Sequence, residues 1–241
     1  LPSPTVQSLI STAREILKPV LELVYPTYCG GCGKQGDVLC RSCRQSLIPL
    51  DGPLVCPVCG MRTGSEALCG GCISHPIFFE RGFYGFSFEG ALREAVHAFK
   101  FKGRIDVGRA LAREALPRAA ACLANCVDAI VPVPVTERRL KARGFNQSFI
   151  IAEELSAALA APVDCATLAK VRETEDQYTL SKKERKKNIR GAFSARRRVT
   201  GMRLLVVDDL YTTGNTAREA ARTLVRAGAG RVYFFALGRT P

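Results

Sequence analysis

Leu204-Leu-Val-Val-Asp-Asp-Leu-Tyr-Thr-Thr-Gly-Asn-Thr216 is the stretch on which the reading of this 241-residue chain turns. A buried apolar strand ends in two carboxylates, Asp208 and Asp209. A short loop of Thr, Gly and Asn then leads into a helix. A loop at this place offers free backbone N–H groups, hydroxyl donors and a helix N-terminus, which together suit one phosphate dianion. The carboxylates cannot serve that phosphate, because like charges repel. They can accept hydrogen bonds from neighbouring sugar hydroxyls, or hold Mg2+ through water. The string therefore reads as a site for a phosphorylated sugar. It holds no Gly-Lys-Ser/Thr and is not a Walker loop. A strand-to-helix turn with a threonine cap would account for Thr-Thr-Gly alone, but not for the whole string.

Around this stretch the pattern alternates. Val127–Val131 is a short apolar run, Pro132–Gly144 a basic loop, and Phe145–Ala160 helical. Met202–Val207 reads as a buried strand, Thr216–Ala227 as a helix and Arg231–Leu237 as a further strand. Strands alternating with helices predict an α/β fold with a parallel sheet flanked by helices. Upstream, Tyr84, Phe86 and Phe88 alternate like a half-buried strand, Gly90–Ala98 is helical, and 106–124 is an Ala- and Leu-rich helix. Residues 4–24 carry apolar positions at helical steps and predict an amphipathic packing helix stopped by Pro26. Residues 170–198 are polar and lack a sustained apolar period.

Eight of the 11 cysteines form four Cys-x-x-Cys pairs: Cys29/Cys32, Cys40/Cys43, Cys56/Cys59 and Cys69/Cys72. Two thiolates three positions apart on a tight turn bind one metal ion, and two such turns complete a tetrahedral site. Short spacers predict consecutive sites, first pair with second and third with fourth; a crossed arrangement is the alternative. The ligand type predicts two structural Zn2+ ions, although an iron–sulfur cluster takes the same ligands. So small a segment needs such staples to fold. Cys122, Cys126 and Cys165 read as buried thiols. His75 and His97, with no ligand partner at metal spacing, read as satisfied surface or core residues.

Hydrophobic residues make up 47% of the chain and charged residues 24%, ordinary for a globular protein and against a disordered chain or a fibre. No apolar stretch approaches the ~18–20 residues of a membrane-spanning helix. Charged residues interrupt the N-terminal pattern, so no secretory signal is read, and the expected location is the cytoplasm. The net charge is +13. Residues 1–75 hold six Lys/Arg against five Asp/Glu, so residues 76–241 carry nearly all of the excess, and an anionic partner is expected. The composition shift places a domain boundary near 73–78. This divides the chain into 1–75, a helix and cysteine-rich region, and 76–241, the α/β unit.

The string at 204–216 resembles the 5-phosphoribosyl-1-pyrophosphate (PRPP) signature of type I phosphoribosyltransferases. The resemblance implies that Asp208 and Asp209 hold the ribose hydroxyls. It implies that Tyr211, Thr212, Thr213, Gly214, Asn215 and Thr216 wrap the 5-phosphate. Four Cys-x-x-Cys pairs, Lys100-Phe-Lys-Gly103, Pro132-Val-Pro134, Arg143-Gly-Phe-Asn-Gln147, Gln177, Arg185-x-x-Asn188, Gly191-Ala-Phe193 and then the signature follow in an order similar to the ComF-type competence protein family. The resemblance covers nearly the whole chain. One departure is Ala142, where related sequences often have Glu before Arg-Gly. The family implies a double zinc ribbon on a type I phosphoribosyltransferase fold and a link to DNA uptake in natural transformation. It also implies Mg2+ with PRPP, and partners among competence-machinery proteins.

By the same resemblance Val133 and Pro134, within 131–136, face pyrophosphate, and the cations of the basic loop, Arg138, Arg139, Lys141 and Arg143, offset its charge as it leaves. Residues 182–198 hold nine Lys/Arg and one acid. A mobile lid closes over PRPP from a comparable position in type I phosphoribosyltransferases, which nominates Arg172, Gln177, Lys182, Lys183 and Arg185. Arg143, Lys183 and Arg185 join the acid pair as the expected catalytic groups. The same basic run suits the phosphates of single-stranded DNA. The ring–cation alternation at 99–102 suits a nucleic-acid strand, with core packing the simpler reading. Two functions follow: a phosphoribosyltransferase with an unassigned acceptor, or a non-catalytic PRPP- or nucleotide-sensing module that binds single-stranded DNA or a competence partner.

Overall fold

The runs Leu204–Val207 and Val232–Leu237 are apolar on both faces because each becomes a strand covered on both sides. The computed structural model describes residues 26–50, 52, 54–64, 67–172 and 189–241. The helix expected at 4–24 and the lid candidates Gln177, Lys182, Lys183 and Arg185 lie outside the described residues. The strands are β1 (Pro49–Leu50), β2 (Arg81–Ser87), β3 (Ala129–Pro132), β4 (Leu168–Lys170), β5 (Phe193–Ala195), β6 (Arg203–Tyr211) and β7 (Arg231–Arg239). The helices are α1 (Arg41–Ser46), α2 (Gly70–Ile73), α3 (Gly90–Phe101), α4 (Ile105–Leu123), α5 (Glu137–Arg143), α6 (Gln147–Leu159) and α7 (Asn215–Arg226). The main sheet has the order β1-β2-β7-β6-β3. It is parallel except for β1, which joins β2 antiparallel. β4 and β5 form a separate antiparallel pair.

Strand alternation splits the interior into two cores. Leu205, Val207, Phe235 and Leu237 face α3, α4, α6 and the first cysteine segment, including Cys29, Leu39 and Cys43. Leu204, Val206, Phe234 and Ala236 face α7, the β4–β5 pair and the second cysteine segment, including Cys56, Cys59, Cys69 and Cys72. The two cysteine segments thus lie on opposite faces of one sheet, with β1 crossing its edge between them.

Several expectations are corrected. β6 runs to Tyr211 rather than stopping at Val207, because Asp208, Leu210 and Tyr211 stay in register with Ala236, Gly238 and Arg239 of β7. The basic loop at 132–144 contains α5, capped by the Thr136 hydroxyl and closed by Gly144 at φ +80°. β2 is buried on both faces from Phe83 to Ser87, not half-buried. The polar stretch 170–198 includes β5, paired with β4. Cys122 and Cys165 are exposed and Cys126 is half-buried, where all three were expected to be buried.

Candidate phosphate and sugar cleft

Parallel strands leave their ligand crevice at the carboxyl ends. There the chain encloses a cleft of about 940 Å³ lined from β6, the loop into α7, the loop after β3, α5, the start of α6 and the end of α3. Of the sequence-nominated residues, Val133, Pro134, Arg143, Asp208, Asp209, Tyr211, Thr212, Thr213, Gly214, Asn215 and Thr216 line it. Arg138 and Arg139 join them, while Lys141 is exposed outside the lining. Lys183 and Arg185 fall outside the described residues. Arg172 lies on the surface, where its guanidinium donates to the Arg190 carbonyl at 2.7 Å.

The acid pair is structured from three directions. Ser148 Oγ donates to Asp208 Oδ1 at 3.1 Å, and the Asp209 N–H donates to the same oxygen at 2.9 Å. Lys100 Nζ lies 2.8 Å from Asp209 Oδ2. Burial, then the charge of Asp209, pushes the Asp208 carboxyl up to about 7, against the opposing pull of Lys100 and the two hydrogen bonds. Ser148 is placed by α6, whose cap Asn146 accepts the Ser148 N–H at 3.0 Å and donates to the Val133 carbonyl at 3.1 Å.

The loop after the acids is shaped by Gly214. Its φ is +72°, and a Cβ there would lie 2.1 Å from the Tyr211 hydroxyl, so only glycine fits. Arg218 donates from inside α7 to the Thr213 carbonyl at 2.6 Å and to Asn215 Oδ1 at 3.2 Å, holding the loop open from behind. Thr213 Oγ1 is buried without a partner among the described residues. So is Nε2 of Gln147, a residue 2% exposed that lines the same cleft. Buried unpaired donors are costly and mark where a ligand would complete the bonding. Tyr211 sits in the floor: its ring meets Tyr84 edge-on at 5.0 Å and Phe234 at 5.7 Å.

Sequence reasoning gave no role in the cleft to Lys100, Gln147, Ser148, Arg218 or Arg239. Lys100 and Gln147 each stood in a motif of the family resemblance, and the other three carried no local signal. In the ring–cation run at 99–102 only one ring is available: Phe99 is fully buried, while Phe101 is 56% exposed at the rim with the Arg143 guanidinium 5.5 Å from its centre.

The cysteines fall into two tetrads, Cys29/Cys32/Cys40/Cys43 and Cys56/Cys59/Cys69/Cys72, each with its sulfurs within 4.8 Å of one another. The pairing is consecutive, not crossed. Four soft donors on two turns fit one tetrahedral zinc and leave no open position for a substrate. Cys29 Sγ accepts the N–H groups of Gly31 at 3.4 Å and Cys40 at 3.3 Å, which favours a thiolate there.

Residues 20–73 match the family described as double zinc ribbon domain, and residues 146–239 match that described as phosphoribosyl transferase domain. DNA utilization protein YhgH of Salmonella typhi is 37% identical over 191 residues, spanning 77% of this chain and 84% of that protein. Competence protein ComFC of Bacillus subtilis is 27% identical over 215 residues, 86% of each chain. A solved adenine phosphoribosyltransferase from Leishmania tarentolae aligns with 59% of this chain and 74% of its own, at 13% identity and a TM-score of 0.36. The parallel sheet with its flanking helices, the two sulfur tetrads and the relatives agree: the chain belongs to the ComF/YhgH family, a double zinc ribbon joined to a phosphoribosyltransferase domain.

Proposed function

We propose that the cleft binds PRPP and that the protein is a phosphoribosyltransferase acting within competence or DNA utilization, the processes for which its relatives are named. One observation carries the reading: an acid pair and a glycine-shaped phosphate loop share a cleft with two buried unpartnered donors, Thr213 Oγ1 and Gln147 Nε2. The 5-phosphate sits on the loop from Thr212 to Thr216 at the start of α7. The ribose hydroxyls donate to Asp208 and Asp209. The diphosphate faces Val133, Pro134, Arg143 and the neighbouring arginines of α5. A nitrogen nucleophile forms a bond to C1 as the C1–O bond breaks, and the bonding pair leaves with diphosphate. Cations at the rim stabilise the leaving charge, and positioning supplies most of the rate. Mg2+, bound with PRPP, would further neutralise the diphosphate.

The second reading keeps the ligand site without catalysis and assigns the basic surface to single-stranded DNA. The exposed Phe101 beside Arg143 favours it, since a ring and a cation at one rim suit a base and its phosphate.

Calorimetric titration of PRPP with Mg2+ into the zinc-loaded protein tests the site. Wild type is expected to bind, and Asp208→Asn/Asp209→Asn to lose at least roughly tenfold in affinity, as expected when charged hydrogen-bond acceptors are removed. A folded wild type that binds no PRPP would sink both readings. Diphosphate release with an added nucleobase separates the first from the second. Salt-sensitive DNA binding that survives the double substitution supports the second.

A further inference from the structure

Lys100 is the penultimate residue of α3, and its ammonium lies 2.8 Å from Asp209 Oδ2, with both side chains only 13% exposed. A charge pair this sheltered persists only where its geometry is fixed, because both ions give up water to form it. The stem of Lys100 is fixed by its neighbour. Phe99 is fully buried and stacks on Phe145 with ring centres 5.5 Å apart. Its ring occupies the space left by the absent side chain of Gly108 in α4, where a Cβ would lie 2.4 Å from it. The other carboxylate is held by neutral donors, Ser148 and the Asp209 N–H.

Carboxylates are the ordinary ligands of hard divalent cations, which offset their charge and fix their oxygens. Here a side chain of the protein supplies both. We infer that Lys100 is a positioning residue that takes the place of a metal ion at the acid pair, so that the pair receives a sugar without recruiting a divalent cation of its own. The inference deepens the proposed function and rests on it only for the identity of the sugar. The exclusion of a cation is a property of the ligand-free chain.

The test uses Mn2+ as a paramagnetic probe, followed by electron paramagnetic resonance, on the zinc-loaded, ligand-free full chain. Wild type is expected to show no Mn2+ site that Asp208→Asn/Asp209→Asn removes. Lys100→Met is expected to gain one such site and to lose it again when combined with the double substitution. Lys100→Arg, which keeps the positive charge, is expected to behave as wild type, and the Mn2+ site gained by the uncharged variant is the readout that a merely structural role would not move. Lys100→Gln provides a second uncharged variant should the methionine protein fail to fold. An acid-pair Mn2+ site already present in wild type overturns the inference, as does a folded uncharged variant that gains none.

Ribose 5-phosphate, which lacks the diphosphate, gives the second arm. Its binding to wild type is expected to be indifferent to millimolar Mg2+. Binding to Lys100→Met is expected to weaken roughly tenfold, the scale of a lost charged hydrogen bond, and to recover with Mg2+. Should ribose 5-phosphate bind neither protein while the Mn2+ result holds, the sugar assignment fails and the role of Lys100 stands.

Discussion

Asp208 holds its proton to a higher pH in the folded protein than it would in water. Burial and the adjacent Asp209 raise its carboxyl from 3.8 to about 7. Between these values the native state binds a proton that the unfolded state has released. Ionisation of Asp208 therefore costs stability as pH rises from about 4 to about 7, and the loss is complete above that. Asp208→Asn, which can still accept from Ser148 and the Asp209 N–H, is expected to stabilise the ligand-free protein by up to about 4 kcal/mol at pH 8, at ~1.4 kcal/mol for each unit by which the carboxyl is raised, and by almost nothing near pH 4. Thermal melts of the two proteins across that range read the difference, and a pH-independent gap would contradict it. The acid pair itself was legible in the sequence, because strand, carboxylates and loop are contiguous in the chain. Lys100 and Gln147 were not: each comes from another element, and neither a lysine in a charged run nor a glutamine at a helix start announces what it faces. The stretch 99–102 shows the same limit, since alternation alone could not say which of two phenylalanines would be buried.

Strands and helices with an apolar period were readable, most of them to within a few residues, and each failure has its own physical cause. α5 is seven residues long with none buried, so it left no period in Glu137–Arg143, and its arginines read as loop. β5 is a three-residue strand whose partner is 23 residues upstream. β6 was cut short because two carboxylates look like an ending, whereas pairing with β7 carries the strand through them. That extension makes the loop into α7 tight, and its tightness is concentrated at Gly214. Gly214→Ala must adopt a left-handed conformation, costing about 1 kcal/mol, and must also displace the Tyr211 hydroxyl from beneath the loop. PRPP affinity is expected to fall at least tenfold with the zinc content unchanged. Calorimetry beside metal analysis checks both, and unaltered binding would remove the loop from the site.

Across the whole molecule, the ribbons and the sheet form one packed body. Arg104 donates to the Tyr28 carbonyl at 2.9 Å, Tyr84 to the Val58 carbonyl at 2.7 Å, and Arg239 to the Cys59 carbonyl at 2.7 Å. On one face the first ribbon lies close against the helices: a Cβ on Gly30 would meet Val107 of α4 at 2.6 Å, and one on Gly31 would meet Ala91 of α3 at 3.3 Å. On the other face, a Cβ on Gly60 would meet the Tyr84 ring at 2.4 Å; Tyr84 packs on Tyr211, and Tyr211 lies beneath Gly214. The first ribbon thus backs the helix that carries Lys100, and the second backs the phosphate loop. Metal analysis is expected to find two zinc ions per chain. Cys56→Ser is expected to lose one of them and to weaken PRPP binding, although no cysteine lines the cleft. Undiminished affinity in a folded, one-zinc protein would show that the ribbon is a passive appendage. Among the eight ligands Cys32 is the exposed one, and it is the thiol that an oxidant meets first. Peroxide or zinc starvation is therefore expected to weaken the proposed sugar-phosphate binding without touching a single residue of the cleft, which would make the occupancy of this protein follow the redox and metal state of its surroundings.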